Sequence, residues 1–150
     1  MPTFAAASAA FLLAVLWFDL MFDVQVRPQK TGTLPPATLA SISAYYRRVT
    51  TDARPMNMLV SAAMLATLVA VIAELTNNRV PLLAAALSLI LVVSAIGLAG
   101  SRTVPNAKRL GSATDTPDEQ SRLARQIYSD HRYCFAAMTL VLALQLFSSA

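Results

Sequence analysis

Two carboxylates, Asp19 and Asp23, lie near the end of a long apolar run that begins at about Phe4. They are four residues apart, so on a helix they share one face. A carboxylate at the edge of a membrane-length segment is costly unless it meets water, a cation or a hydrogen-bond donor. A carboxylate in such surroundings can also accept a proton from a bound molecule. Asp19, about one turn deeper, therefore predicts an ion-pair cluster or a proton-transfer site, whereas Asp23 is expected to be a solvated helix end or part of the same site.

The other residues that could carry chemistry lie beside later apolar runs. We predict catalytic roles for Asp19, His131 and Arg132. Asp19 or His131 would accept a proton, and Arg132 or Arg102 would hold the resulting anion. The candidate binding residues are Trp17, Asp23, Arg54, Asn57, Arg102 and Asn106. Since guanidinium groups suit carboxylates, the arginines are also expected to neutralise the acidic pair.

Several classes of site are not expected. His131 is the only histidine, and a metal site would need two or three more good ligands. The chain has no glycine-rich nucleotide loop, no Cys-x-x-Cys and no His-Glu-x-x-His. Its one cysteine, Cys134, excludes a disulfide within the chain. The basic residues show no nucleic-acid-binding pattern and suit an anionic membrane leaflet. We therefore predict no metal, no cofactor and no nucleic acid.

Four apolar stretches must position these residues, at 4–22, 56–75, 81–100 and 133–147. A helix needs about 20 residues to span a bilayer. The chain is 56% hydrophobic and 13% charged, and these stretches lack the polar face of a soluble bundle. We predict one all-α domain over residues 1–150, an integral membrane four-helix bundle. The first stretch is expected to be a retained helix, because no Lys or Arg precedes it as in a signal peptide.

The connections between the stretches differ in length and charge. Residues 76–80 form a short turn, which predicts an antiparallel hairpin. The two long connections hold all 12 Lys and Arg residues except Arg79. Positive charge favours the cytoplasmic side of a membrane. We therefore predict a multi-pass protein of the cell inner (plasma) membrane, with both long connections in the cytoplasm and both termini outside it.

Each long connection is predicted to carry a short interfacial helix. The first covers about 37–49, and Tyr45, Tyr46 and Trp17 are expected in an aromatic belt. The second begins at a capping box, Thr116 with Glu119, and continues into the fourth stretch. Together the helix ends would form one polar mouth on the cytoplasmic side. Residues 51–54 resemble residues 129–132, which predicts two parallel two-helix repeats, with chance similarity as the alternative.

The residues after the third stretch resemble a known family. Arg102-Thr103-Val104-Pro105-Asn106, the connection that follows, and His131-Arg132 are similar to the DUF1772 group, four-helix membrane proteins that resemble anthrone oxygenases. The resemblance covers mainly residues 95–147. The chain departs from the group's pattern in having no apolar residue between Pro105 and Asn106, and His131 where Asn is common. The resemblance implies functional roles for Asn106, His131 and Arg132.

Three functions follow from these observations. The first is a non-catalytic accessory protein that contacts lipid or a partner membrane subunit, since no catalytic motif is present. The second is an enzyme that acts on an apolar aromatic or quinone-like molecule. The third is a carrier of a small anion or proton, which with four spans would need a dimer; a homo-oligomer or a partner membrane subunit is the expected protein partner. A cavity lined by Asp19, Asn57, Asn106 and His131 would favour the enzyme, and a solid bundle would favour the accessory protein.

Overall fold

The computed structural model describes residues 2–77 and 80–148, and every regular element in these ranges is helical. The six α-helices are α1 (Pro2–Asp23), α2 (Pro36–Arg47), α3 (Arg54–Thr76), α4 (Leu82–Leu98), α5 (Val104–Ser112) and α6 (Pro117–Phe147). A 3₁₀ turn, Val24–Val26, ends α1. Two π-helical segments, Arg48–Asp52 and Ala99–Thr103, follow α2 and α4. The all-α prediction is therefore confirmed for the described residues.

Within the described residues, three helical segments are long and apolar enough to cross a membrane: Phe4–Val26, Pro55–Thr76 and Leu82–Ser112. These match the first three predicted stretches. The third extends beyond the predicted end at residue 100, because the chain stays helical through the second π-helical segment into α5. The fourth predicted span is only the apolar end of α6, whose first half is charged. Its crossing of a membrane stays a prediction.

The four long helices share one apolar core. α1 packs against α3 and α6, and α4 packs against the same two helices. The core contains small and branched side chains, among them Ala9, Val71, Val92 and Val141. The outward faces of α3 and α4 are apolar as well: the large exposed side chains include Met58, Leu65, Val69, Leu83 and Ile90. These helices thus lack the polar face that a soluble bundle presents to water.

A second, smaller core lies beyond the end of α1. It is formed by α2, α5 and the first half of α6, and its fully buried side chains include Ile42, Leu110 and Ile127. We call this unit the cap. At Gly111, α5 approaches α2 so closely that an added Cβ would lie 2.7 Å from the backbone nitrogen of Arg47. The cap therefore depends on direct backbone contact between two short helices.

The cap corrects one sequence expectation. The connection after α4 was expected to hold a single helix beginning at the capping box, and α5 was not predicted. Pro105 in its first turn suits a helix start, and Ala107 and Leu110 form its buried side. The predicted N-cap is confirmed, since the backbone N–H of Glu119 donates to Thr116 Oγ1 at 3.4 Å. The reciprocal half of the capping box is not formed, because the Glu119 carboxylate accepts from Arg109 and Arg122 instead. The predicted helix at 37–49 corresponds to α2 and the π-helical turn after it.

Candidate functional site

The polar site lies between the two cores. Asp19 and Asp23 are on the same face of α1, as predicted. Asp23 is fully buried, so the expectation of a solvated helix end is wrong. His131, at 7% exposure, comes from the middle of α6, and Tyr46, at 2% exposure, comes from the last turn of α2. Two elements of the four-helix core and one of the cap therefore each supply part of one buried cluster.

Asp23 binds both of its buried neighbours. Its Oδ2 lies 2.7 Å from His131 Nδ1, and its Oδ1 accepts a hydrogen bond of 2.5 Å from the hydroxyl of Tyr46. An ionised carboxylate can only accept, so the Nδ1 of His131 carries a proton in this arrangement. The other ring nitrogen, Nε2, is left for a second partner. Asp23 thus fixes both the orientation and the tautomer of the imidazole.

Asp19 lies on the other side of the same imidazole. Its Oδ2 is 3.9 Å from His131 Nε2, and its Oδ1 accepts a hydrogen bond of 2.6 Å from the hydroxyl of Tyr45. The ring of Tyr45 stacks on Phe22, with centroids 4.0 Å apart, which holds the hydroxyl in place. Asp19 is less enclosed than Asp23. It is therefore the carboxylate that a small molecule can reach.

The surroundings shift the protonation of His131 and the tyrosines. Burial lowers the pKa of His131, but the hydrogen bond to Asp23 and the charges of Asp19, Asp23 and Asp130 together raise it above its usual value. Burial raises the pKa of Tyr46 well above its usual value, and the nearby carboxylates raise it further. The pKa of Tyr45 rises for the same reasons. The tyrosines therefore remain hydrogen-bond donors, and the imidazolium form of His131 is favoured more than in a solvated histidine.

Two cavities meet at Asp19 and His131. The first, of about 150 Å³, extends into the four-helix core and is otherwise apolar except for Thr67 and Thr103. The second, of about 280 Å³, extends towards the cap and is lined also by Tyr45, Tyr46 and Asn57. The two share six lining residues: Val15, Asp19, Val60, Thr103, Val104 and His131. A mostly apolar pocket with a few convergent polar groups is typical of a small-molecule site.

Two of the predicted site residues have partners elsewhere. Arg102 forms a two-pronged ion pair with Asp130, in which its Nε donates to Oδ2 at 2.9 Å. Asp130 also accepts from Thr103 Oγ1 at 3.0 Å. Asn106 donates to Gln126 Oε1 at 3.2 Å. Neither Arg102 nor Asn106 lines the two cavities, so the expectation that Arg102 neutralises Asp19 or Asp23 is wrong for this structure.

The remaining predicted residues lie around the rim or outside it. Arg132 has its guanidinium 5.6 Å from the ring centre of Tyr128, away from both cavities. Trp17 is 57% exposed on the outer face of α1. The side chain of Arg54 lies outside the part of the chain that the structure describes. The structure therefore brings together Asp19, Asp23, Asn57 and His131 from the predicted set.

Sequence reasoning assigned Tyr45 and Tyr46 to an aromatic belt and missed their role as donors to the two carboxylates. The available signal was their position, two adjacent tyrosines at the end of a short helix beside a polar mouth. No group of three His, Cys, Asp or Glu side chains among residues 2–77 and 80–148 is arranged to hold a metal ion. The site as described consists of side chains that donate and accept hydrogen bonds.

Comparison of the chain with protein-family models, curated proteins and solved structures gives no match. The resemblance to the DUF1772 group accordingly stays a prediction.

Proposed function

We propose that the protein is a multi-pass inner-membrane protein with four spans. Its support is the three long apolar helices, the apolar outward faces of α3 and α4, and the apolar end of α6 over residues 133–147. The basic residues of both long connections favour the cytoplasmic side for the cap. Both termini then face the opposite side of the membrane.

We further propose that it is an enzyme that binds an apolar aromatic or quinone-like molecule and removes a proton from it. The observation that carries this proposal is the Asp19–His131 pair at the junction of two largely apolar cavities. Both cavities are bounded by membrane-length helices, so an apolar molecule dissolved in the bilayer is the chemical class that suits them. The predicted accessory function gives no reason for such a cavity.

We propose different roles for the polar residues. Asp19 is the proton acceptor, because its carboxylate reaches the cavity and is oriented by Tyr45. His131 in its imidazolium form stabilises the anion that forms, through Nε2–H. Asp23 and Tyr46 are positioning residues: Asp23 binds Nδ1 of the imidazole, and the hydroxyl of Tyr46 binds Asp23. This arrangement needs neither Arg102 nor Arg132 at the reacting atoms.

The resemblance to anthrone oxygenases supplies a test substrate. Anthrone has an acidic methylene group between two aromatic rings. Loss of one proton gives a delocalised anion, and dioxygen then converts the methylene to a carbonyl, with anthraquinone and one water as products. Residues of this chain are proposed to carry out the proton removal alone.

The test follows proton removal separately from oxidation. Purified protein in lipid nanodiscs is incubated with anthrone in D₂O under nitrogen, and exchange of the methylene hydrogens is followed by mass spectrometry. We expect the wild type to accelerate exchange over empty nanodiscs, and Asp19→Asn to lower that acceleration by about 10²-fold or more, as for loss of a general base. His131→Gln should lower it as well.

Asp52→Asn is the matched control, because Asp52 is an exposed carboxylate outside both cavities. It should exchange anthrone at the wild-type rate. A wild-type rate in Asp19→Asn would contradict the proposed role of the site. No acceleration by the wild type would contradict an anthrone-type substrate.

The accessory alternative has one observation in its favour. Gly97 is exposed on α4, and an added Cβ would meet no atom within 4 Å, so a larger side chain there fits the isolated chain. If this face docks a partner subunit, Gly97→Leu should impair the host complex while Asp19→Asn leaves it intact. The enzyme proposal instead expects Asp19→Asn to lower activity and Gly97→Leu to leave activity intact. A liposome flux assay with purified protein addresses the carrier alternative.

A further inference from the structure

Four basic side chains surround one pocket that shares no lining residue with the two cavities. Arg27 and Lys30 follow the end of α1, and Arg125 and Arg132 come from α6. Together with Val26 and Tyr128 they line a pocket of about 580 Å³. We call it the basic pocket. It contains no carboxylate among its lining residues.

The charges of the basic pocket are uncompensated within the described part of the chain. None of its four cations forms an ion pair there, whereas Arg102, Arg109 and Arg122 each pair with a carboxylate. Arg125 instead donates to the backbone carbonyls of Gln29, at 3.1 Å, and Gly32, at 2.5 Å. These bonds hold the loop after α1 against α6 and leave the positive charge in place.

An apolar groove adjoins the basic pocket. It measures about 290 Å³, shares Tyr128 and Arg132 with the pocket, and is otherwise lined by Trp17, Leu20, Met21 and Val24 of the α1 segment. Trp17 and Met21 are each 57% exposed, so the groove opens outwards. A ligand that occupies both would need an anionic group joined directly to an apolar chain.

We propose that the basic pocket and its groove bind an anionic phospholipid. The phosphate would lie among Arg27, Lys30 and Arg132, and an acyl chain would follow the groove towards Trp17. Basic pockets at the cytoplasmic end of membrane helices recognise such headgroups, and Trp is favoured at the headgroup level. This inference rests on the proposed membrane insertion but not on the proposed enzyme activity.

The test measures lipid binding by native mass spectrometry of the detergent-solubilised protein. Phosphatidylglycerol, phosphatidylcholine with the same acyl chains, and inorganic phosphate are added separately. We expect phosphatidylglycerol to bind in preference to phosphatidylcholine. Triple substitution Arg27→Gln, Lys30→Gln and Arg132→Gln should weaken its binding on the order of 100-fold, at about fivefold per charge removed.

The matched control removes the same number of positive charges elsewhere. Arg47, Arg48 and Lys108 are exposed and line neither the pocket nor the groove. Their triple Gln variant should retain phosphatidylglycerol as the wild type does. Equal losses in the two variants would overturn the proposal in favour of a general attraction of the basic surface.

Two further outcomes overturn the proposal. One is equal binding of phosphatidylglycerol and phosphatidylcholine by the wild type. The other is full competition by inorganic phosphate at the lipid's own concentration, which would indicate an anion site without an acyl-chain contact. If the triple variant does not fold, the double variant of Arg27 and Lys30, both exposed, replaces it with an expected loss of about 25-fold. Anthrone exchange measured on the same samples reports separately on the enzyme.

Discussion

Substituting Phe for Tyr46 removes one hydroxyl from the buried cluster and leaves the ring. That hydroxyl donates to Asp23 at 2.5 Å, where the carboxylate has no contact with solvent. A hydrogen bond to a charged group contributes about 1.5–3 kcal/mol, and its loss leaves a buried acceptor short of a donor. Asp23 keeps its bond to His131, so the loss is partial. We expect Tyr46→Phe to lower the free energy of unfolding by about 2 kcal/mol.

Tyr45→Phe is the matched control, because it removes the same atom from a neighbouring and more accessible tyrosine. Its acceptor, Asp19, borders both cavities, where water can replace the lost hydroxyl. We expect a loss of about 1 kcal/mol or less. Reversible unfolding in mixed micelles, followed by circular dichroism, measures both variants under one set of conditions.

A double-mutant cycle decides whether the effect passes through Asp23. In an Asp23→Asn background the hydroxyl of Tyr46 meets a neutral acceptor, so Tyr46→Phe should cost about 1 kcal/mol there. Equal losses with Asp23 and with Asn would refute the reasoning. So would a Tyr46→Phe variant as stable as the wild type.

Three further predictions concern stability. The pKa of His131 is raised in the folded state, so protonated His131 stabilises the fold. This stabilisation is fully present below the unfolded pKa of about 6.5 and is lost as the pH rises through the folded pKa. The melting temperature of the wild type should therefore exceed that of His131→Gln by more at pH ~6 than at pH ~9. Gly111→Ala should lower the free energy of unfolding by about 1–3 kcal/mol, since its Cβ would overlap the α2 backbone. Gly97→Ala, which has open space around the added Cβ, should not lower it. Chemical unfolding of the two variants measures the difference. Thr116→Ala removes the helix cap of α6 and should cost about 1 kcal/mol, with exposed Thr114→Ala near zero in the same assay.

Sequence reasoning predicted which residues share a helix face, but it did not predict which helix faces pack against each other. Spacing alone placed Asp19 and Asp23 together, and the order of the apolar stretches brought His131 near them. The hydroxyl positions of Tyr45 and Tyr46 depend on how α2 is rotated about its axis. That rotation is fixed by buried contacts of Ile42 with the other helices of the cap, which pattern reasoning does not supply.

The missed helix and the displaced arginine have related causes. α5 is short and charge-rich, so its buried side is only a few residues wide, too few for a periodicity to identify. The π-helical segment before it shifts the helix register at residues 99–103 and presents Arg102 and Thr103 to Asp130. A register shift of this kind cannot be inferred from an apolar stretch. The arginine expected at the acidic pair is consequently held on a different face of α6.

α6 belongs to both cores, because Ile127 packs in the cap and Cys134 packs among the long helices. His131 lies between these two residues on the same continuous helix. Because α6 is one continuous helix, a tilt of its cap end would also move the imidazole of His131. Since His131 lines both cavities, such a tilt would change the two cavities together. It would also change the distance between His131 Nε2 and Asp19 Oδ2, which is 3.9 Å in this structure.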